Sequence, residues 1–324
     1  MKSIYLCPVC NQPLLIHQES QGLHCSNKHH FDKSDKGYWV FSLPKKPKLD
    51  SRQVMRGKRF LLESGVFSPL VDTLAEMLKP ELANIASEGG IAHLEYDCGE
   101  GYYLRAIKSA LSEPLQQAGL TLVQHGINEA ENALFSAAKI DAEAEADSDS
   151  DNATGADSAS DSGNDSSNDS SNDSSNDSGN ESEPAEKSTL IVSSLRALPF
   201  ADASFDLVTL IDKQLKGKEP LRVLKQAGYL LQVSPAPRHL WQLKGYIYPN
   251  MKEKSLQSGQ VSGLELLATQ RVTFKLDADG EQALTLLEMT PYAWRANDKM
   301  RNKIASANFE GLEIDFIVTL SKKI

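Results

Sequence analysis

Two close pairs of metal-type ligands open the chain. Cys7-Pro8-Val9-Cys10 is followed by Cys25-Ser26-Asn27-Lys28-His29, a C-x2-C-x14-C-x3-H spacing that uses three of the four cysteines within thirty residues. Tetrahedral zinc wants four thiolate or imidazole ligands, and two pairs on two tight turns supply them with little backbone cost. Four protein ligands leave no open position for water, so the spacing predicts a structural Cys3His site held by Cys7, Cys10, Cys25 and His29. A Cys-x2-Cys pair closes poorly as a disulfide. His24 and His30 flank the second pair and are alternative imidazole donors. Such a site fixes the start of the chain as a small module of turns and short strands, packed by Phe31, Tyr38, Trp39, Val40 and Phe41.

The remaining bounds come from length and charge. The 324 residues suggest about two domains. No run of about 18 apolar residues occurs, so no membrane helix is expected. Met1 to Leu6 lacks the apolar stretch of a signal peptide. Free thiolates then imply a reducing, cytoplasmic setting. The whole-chain net charge of -10 conceals an uneven distribution: residues 141–187 carry fifteen acidic side chains against Lys187, a local -14 that leaves +4 on the rest. A mildly basic body is compatible with a nucleic-acid partner.

Along the chain, residues 1–44 read as the zinc module and residues 45–89 as a linker with helices. Lys45-Lys46-Pro47-Lys48 is a basic, Pro-broken joint. Apolar residues recur at helical spacing from Ser51 to Leu78, divided near Gly65 and Pro69. Residues 90–324 read as an α/β domain. Ile91–Tyr96 is a strand, Tyr102 to about Leu111 a helix, Leu120–Gln124 a strand and Ala130–Lys139 a helix. After the acidic Ser/Asn/Asp-rich tract 141–187, expected to be a disordered insertion, strands resume at Thr189–Ser193, Phe205–Ile211 and Gly228–Val233.

A strand, a glycine loop (Asp97-Cys98-Gly99-Glu100-Gly101), a helix and a second strand ending in a polar residue form the nucleotide-type arrangement of an open α/β sheet. No G-K-[ST] follows, so a nucleoside without phosphates is the better ligand. The order of zinc module, paired helices and glycine loop resembles the RlmA-type 23S rRNA guanine-N1 methyltransferases. So do the blocks Ser234-Pro235-Ala236-Pro237-Arg238-His239-Leu240 through Tyr248 and Leu287-Glu288-Met289-Thr290-Pro291-Tyr292-Ala293-Trp294-Arg295-Ala296. The resemblance covers the chain outside the acidic tract. It implies a Rossmann-like class I S-adenosylmethionine (SAM) methyltransferase domain acting on guanine N1 in a 23S rRNA hairpin, with SAM and Zn2+ as cofactors. It further implies cofactor contacts from Phe67, Glu95, Asp97, Gly99, Glu100, Gly101, Asn128 and His239.

The same resemblance exposes departures. Asp97 stands where the family loop has its first glycine. Asn128 replaces the acid that accepts both ribose hydroxyls, which loses charge-assisted strength. Ile211-Asp212-Lys213-Gln214 replaces a short aromatic-Ala-Pro segment, and Lys225 to Gly228 a Pro-Gly-Gly turn. Asp212 is the candidate general base, and Tyr102, Tyr103, Tyr246, Tyr248 and Trp294 are candidate base-stacking residues. Arg238, Lys244 and Arg295 are candidate phosphate contacts. Two readings follow: a methyltransferase, or a catalytically silent relative that binds rRNA or a ribosome precursor. The zinc module either grips the RNA, packs on the larger domain, or forms a homodimer contact.

Overall fold

A computed structural model describes residues 3–43, 50–85, 90–153, 187–248, 250–253 and 261–324. The basic linker at Lys45–Lys48 and most of the acidic tract lie outside the described residues. Strands β1 (Leu15–Ile16), β2 (Leu23–His24) and β3 (His30–Phe31) form a small antiparallel sheet. The next strand, β4 (Trp39–Val40), leaves the ribbon and pairs in parallel with β7 (Thr189–Val192), Trp39 opposite Ile191. With β5 (Ile91–Tyr96), β6 (Leu122–Asn128), β8 (Phe205–Ile211), β9 (Leu224–Pro235), β10 (Leu264–Ala278) and β11 (Phe309–Lys323) it builds one eight-stranded sheet in the order β10-β11-β9-β8-β5-β6-β7-β4.

Setting β4 aside, the order reads third, second, first, fourth, fifth, seventh, sixth. The seventh strand, β11, is antiparallel to both neighbours. This is the strand order of the class I methyltransferase fold. The central strands are buried on both faces, which explains their near-continuous apolar runs. The chain winds one way from β5 through β7 and the other way from β8, so the switch point lies between β5 and β8. Ligands of open α/β sheets bind outside the carboxyl ends of strands at such a point.

Helices α1 (Arg52–Glu63), α2 (Ser68–Leu82) and α3 (Tyr102–Gln117) share a core with β9, β10 and β11. The other core joins ribbon and domain: Cys7, Leu14, Leu23, Cys25, Trp39 and Phe41 pack with Leu94, Ile127, Phe200 and Phe205. Leu6 donates its N–H to Pro199 O at 2.9 Å, and Ala201 returns one to Ile4 O at 2.8 Å. The zinc module is thus built into the domain's edge.

Helix α4 (Glu131–Ala153) runs on past Lys139, where the sequence pattern had placed its end. Ala142, Glu143 and Ala144 are strong helix formers. Asp141 pairs with Arg105 at 3.1 Å and Glu143 with Lys139 at 3.3 Å, which anchors the extension. Short helices α5 (Glu219–Val223), α6 (Trp241–Ile247), α7 (Gly280–Glu288) and α8 (Asp298–Ala305), with a single 3-10 turn at Ala293–Arg295, complete the described elements. Among the described residues no helix is long and apolar enough to cross a membrane.

Candidate functional site

The four expected zinc ligands converge. The Cys7 and Cys25 sulfurs lie 3.5 and 3.4 Å from His29 Nδ1, and Cys10 Sγ lies 3.6 Å from Cys25 Sγ. All four ligand atoms fall within 4.8 Å of one another. These separations match the edges of a tetrahedron with metal–sulfur bonds of about 2.3 Å. Each knuckle is a backbone turn: Asn11 N–H bonds to Cys7 O at 2.8 Å and Lys28 N–H to Cys25 O at 2.9 Å. The left-handed φ angles of Asn11 (56°) and Lys28 (63°) let the chain reverse just after Cys10 and just before His29. Cys98 is buried elsewhere and takes no part.

The glycine loop lies at the end of β5. Gly99 and Gly101 have φ of 58° and 73°, and Gly101 starts α3. A Cβ on Gly99 would meet nothing within 4 Å, so the loop borders open space. Asp97 also adopts a left-handed φ, 62°, a conformation Asp tolerates better than most residues. Its carboxylate accepts from Asn128 Nδ2 at 3.1 Å and pairs with Lys213 Nζ at 2.7 Å. Asn128 Oδ1 in turn accepts the Ala130 N–H at 2.7 Å. Asp97 and Asn128 are therefore both committed to partners within the protein.

Glu95 is buried with one carboxylate oxygen lacking a partner. Burial pushes its pKa up to about 8; Arg105 opposes this and Asp97 adds to it. Glu100 points toward α1, where Arg59 Nε donates to it at 2.9 Å, and its other oxygen is buried without a partner. The Asp97 carboxylate beside the open space at Gly99 fits a nucleoside with a cationic end, as SAM is. Glu95, Asp97, Gly99 and Asn128 are the residues that would border it. Phe67 is not among them. It caps α2 inside the main core, edge-on to Phe274 at 6.1 Å, because the loop from Gly65 turns its side chain inward.

A cleft of about 1640 Å³ opens beside the end of β8, lined by Asp212, His239, Trp241, Lys244, Tyr248, Tyr292 and Arg295 among others. Asp212 has a left-handed φ of 53° and gives its N–H to Val233 O at 3.0 Å. Burial raises its pKa to about 6, against the pull of Lys213 and Lys244. His239 borders this cleft rather than the glycine loop. Its Nδ1 accepts the Asp315 N–H at 3.3 Å, and burial lowers its pKa to about 3, so the ring is neutral with its proton on Nε2. Asp315 is fully buried, held by Arg271 at 2.8 Å and by the Arg238 N–H at 3.1 Å. This network anchors the Pro235–Leu240 block.

Cations and rings alternate along the cleft mouth. Arg295 lies 4.7 Å from the Trp294 ring centre and 5.6 Å from that of Tyr248; Lys244 lies 5.7 Å from that of Tyr292. Tyr248 and Tyr292 meet at 6.2 Å. Of the expected stacking residues, Tyr248 lines this cleft, the exposed Trp294 stands outside it against Arg295, and Tyr102 packs edge-on to Tyr103 at 4.9 Å. Tyr246 instead packs on Phe309 outside this cleft, and Tyr103 packs against the main core. Arg238 is committed to Glu313 and Glu253. Sequence reasoning missed Tyr292, although it falls in a recognised block, and the partner of Lys213. Lys213 was visible as a departure, but its pairing with Asp97 exists only in three dimensions.

Residues 5–49 match the family described as RlmA, N-terminal, a zinc ribbon. The chain is 22% identical over 331 aligned residues to YxjB of Bacillus subtilis strain 168, provisionally named a 23S rRNA (guanine-N(1)-)-methyltransferase; the match covers 99% of this chain and 98% of that one. Among solved structures, Bacillus subtilis YcgJ aligns with 14% identity over 75% of this chain and 95% of its own, at a TM-score of 0.36. A geranyl diphosphate methyltransferase in complex with SAM aligns with 10% identity over 78% and 85%, at a TM-score of 0.38. The strand order, rather than these low scores, carries the fold. The chain joins an RlmA-type N-terminal zinc ribbon to a class I methyltransferase fold, and over nearly its whole length it resembles the RlmA-type 23S rRNA methyltransferases.

Proposed function

We propose that this protein is a SAM-dependent methyltransferase acting on guanine N1 in a 23S rRNA hairpin. One observation carries the reading: consecutive residues at the end of β8 link the two halves of the site. Asp212 lines the aromatic cleft, while Lys213 reaches Asp97 in the glycine loop. A base in the cleft would lie next to a ligand at the loop. SAM, when bound, supplies an electrophilic methyl group on a sulfonium.

The chain's own residues have separable tasks. Guanine N1 lies on the Watson–Crick edge, so the base must leave its pair and enter a pocket. Tyr248 and Tyr292 offer aromatic faces for it, and Arg295 offers a cation for phosphate. N1 carries a proton that must leave as the methyl arrives. With its pKa at about 6, Asp212 is ionised at neutral pH and can accept that proton. Holding N1 in line with the methyl supplies most of the remaining acceleration. The ribbon, sharing a core with the domain, presents a fixed surface rather than a tethered one to the RNA.

The contacts of Asp97 with Lys213 and Asn128 favour a second reading, an RNA-binding relative without turnover. Methylation of a 23S rRNA hairpin transcript, followed by mass spectrometry for N1-methylguanosine, separates the two. The enzyme reading expects transfer by the wild type and a loss of about 100-fold or more with Asp212→Ala, the typical contribution of a general base. RNA binding with no transfer would favour the second reading. Unchanged transfer by Asp212→Ala would remove Asp212 as the base.

A further inference from the structure

A second hollow, of about 560 Å³, lies outside the cleft between α6 and α8. Gln242, Gly245, Tyr246, Lys299, Met300 and Lys303 are among its lining residues. Helix α6 is the wall that the two spaces share. Trp241, Lys244 and Tyr248 recur at three- and four-residue spacing and line the cleft. Gln242 and Gly245 each follow one residue on, about 100° further round the helix, and with Tyr246 they line the hollow. Leu243 and Ile247 bury the remaining face in the core.

Both walls are fixed in place. Gln242 Nε2 donates to Gly311 O at 3.0 Å and its Oε1 accepts the Glu313 N–H at 3.1 Å, which ties α6 to β11. Asn297 Oδ1 accepts the Met300 N–H at 3.0 Å, and Arg301 Nε donates to Ala296 O at 3.1 Å, which holds the start of α8. Tyr246 rests on Phe309 at 5.8 Å and is 36% exposed. Lys299 and Lys303 stand one turn apart on α8 and are exposed. Among the described residues no ion pair holds either one, and no acidic side chain lines the hollow. Glycine weakens a helix interior, yet Gly245 is needed neither for packing nor for backbone geometry. A Cβ there would meet only Met251 Cε at 4.0 Å, and its φ is not left-handed. Its missing side chain leaves a low point on the ridge between hollow and cleft.

We propose that this hollow is a subsite for the nucleotide beside the target guanine. Tyr246 stacks the neighbouring base, Lys299 and Lys303 hold its phosphates, and the strand crosses α6 over Gly245. The inference rests on the rRNA reading above and extends it from one base to a short single-stranded track. Unpaired RNA is gripped by aromatic faces under its bases and cations along its backbone, and the hollow carries both with no acid to repel phosphate. A guanine drawn into the cleft takes its neighbour out of the helical stack, and the shared wall puts the next recess one helix width away. Because both walls are already held, little ordering is needed when the strand arrives.

Fluorescence anisotropy of a labelled 23S rRNA hairpin transcript, titrated with the full-length protein at several salt concentrations, tests the proposal. Tyr246→Ala is expected to weaken binding about tenfold, the typical loss of one stacked base, without changing the salt dependence. Tyr246→Phe keeps the ring and should bind as the wild type does. Replacing Lys299 and Lys303 together with glutamine should weaken binding and lower the log–log salt slope by about 1.4, or about 0.7 for each lost phosphate contact. Gly245→Gln should raise the melting temperature, since glutamine forms helix better than glycine, while weakening RNA binding severalfold. Those opposite signs separate a blocked path from a misfolded protein. Tight wild-type binding that Tyr246→Ala, the lysine pair and Gly245→Gln all leave unchanged would overturn the subsite and leave the proposed methyltransferase function standing. No binding by the wild type at low salt would overturn both.

Discussion

Replacing Lys213 with methionine is expected to tighten SAM binding. Lys213 Nζ lies 2.7 Å from Asp97 Oδ2, with the lysine side chain 45% exposed and the aspartate 24%. Burial works to lower the Lys213 pKa, but the Asp97 charge and hydrogen bond outweigh it and raise it. An ammonium that neutralises the loop acid competes with any cationic ligand for that acid. Partly exposed pairs of this kind are worth about 1 kcal/mol after solvent screening, which corresponds to roughly fivefold in affinity. Calorimetry on wild type and Lys213→Met should therefore show the SAM dissociation constant falling about fivefold, with a larger gain at low ionic strength. S-adenosylhomocysteine, which lacks the sulfonium charge, should gain less. An unchanged or weaker SAM affinity in Lys213→Met would refute the competition argument. Absence of SAM binding in both proteins would instead refute the proposed function.

Other expectations concern stability and pH. The folded-state pKa of Glu95 is raised from 4.5 to about 8, so folding favours its protonated form, and stability falls as pH rises through that interval. The cost at pH 7 is on the order of 3 kcal/mol; Glu95→Gln should raise the melting temperature at pH 7 to 8 and flatten the slope, and a wild-type stability already flat across this range would contradict it. If Asp212 is the base, single-turnover methyl transfer should climb with pH up to about 6 and level off above, while Asp212→Asn should lose that profile. Because the ribbon shares a core with Leu94, Ile127 and Phe205, zinc chelation should lower one cooperative melting transition of the whole fold. A separate ribbon transition with an unshifted main one would count against that packing.

The zinc ligands were readable from spacing alone, since ligand identity and loop length leave few ways to build a tetrahedral site. The β-α-β run was readable from Ile91 to Gln124, because strands buried on both faces carry continuous apolar runs and the glycines mark the turn, although the second strand lies at Leu122–Asn128 rather than Leu120–Gln124. Local pattern failed where distance in sequence mattered. Phe67 matched an aromatic position of the family, yet the turn after Gly65 drives it into the core. Tyr246 carried the right chemistry on the wrong face of α6. His239 and Asp212 meet in one cleft because β9 and β11 pair beside β8. The union of Asp97 with Lys213 needed the sheet to be assembled. Spacing and hydrophobic period are local properties that a chain displays along its length. Which charge neutralises which, and which rings share a face, depends on strand order and register, and these emerge only when the whole core packs.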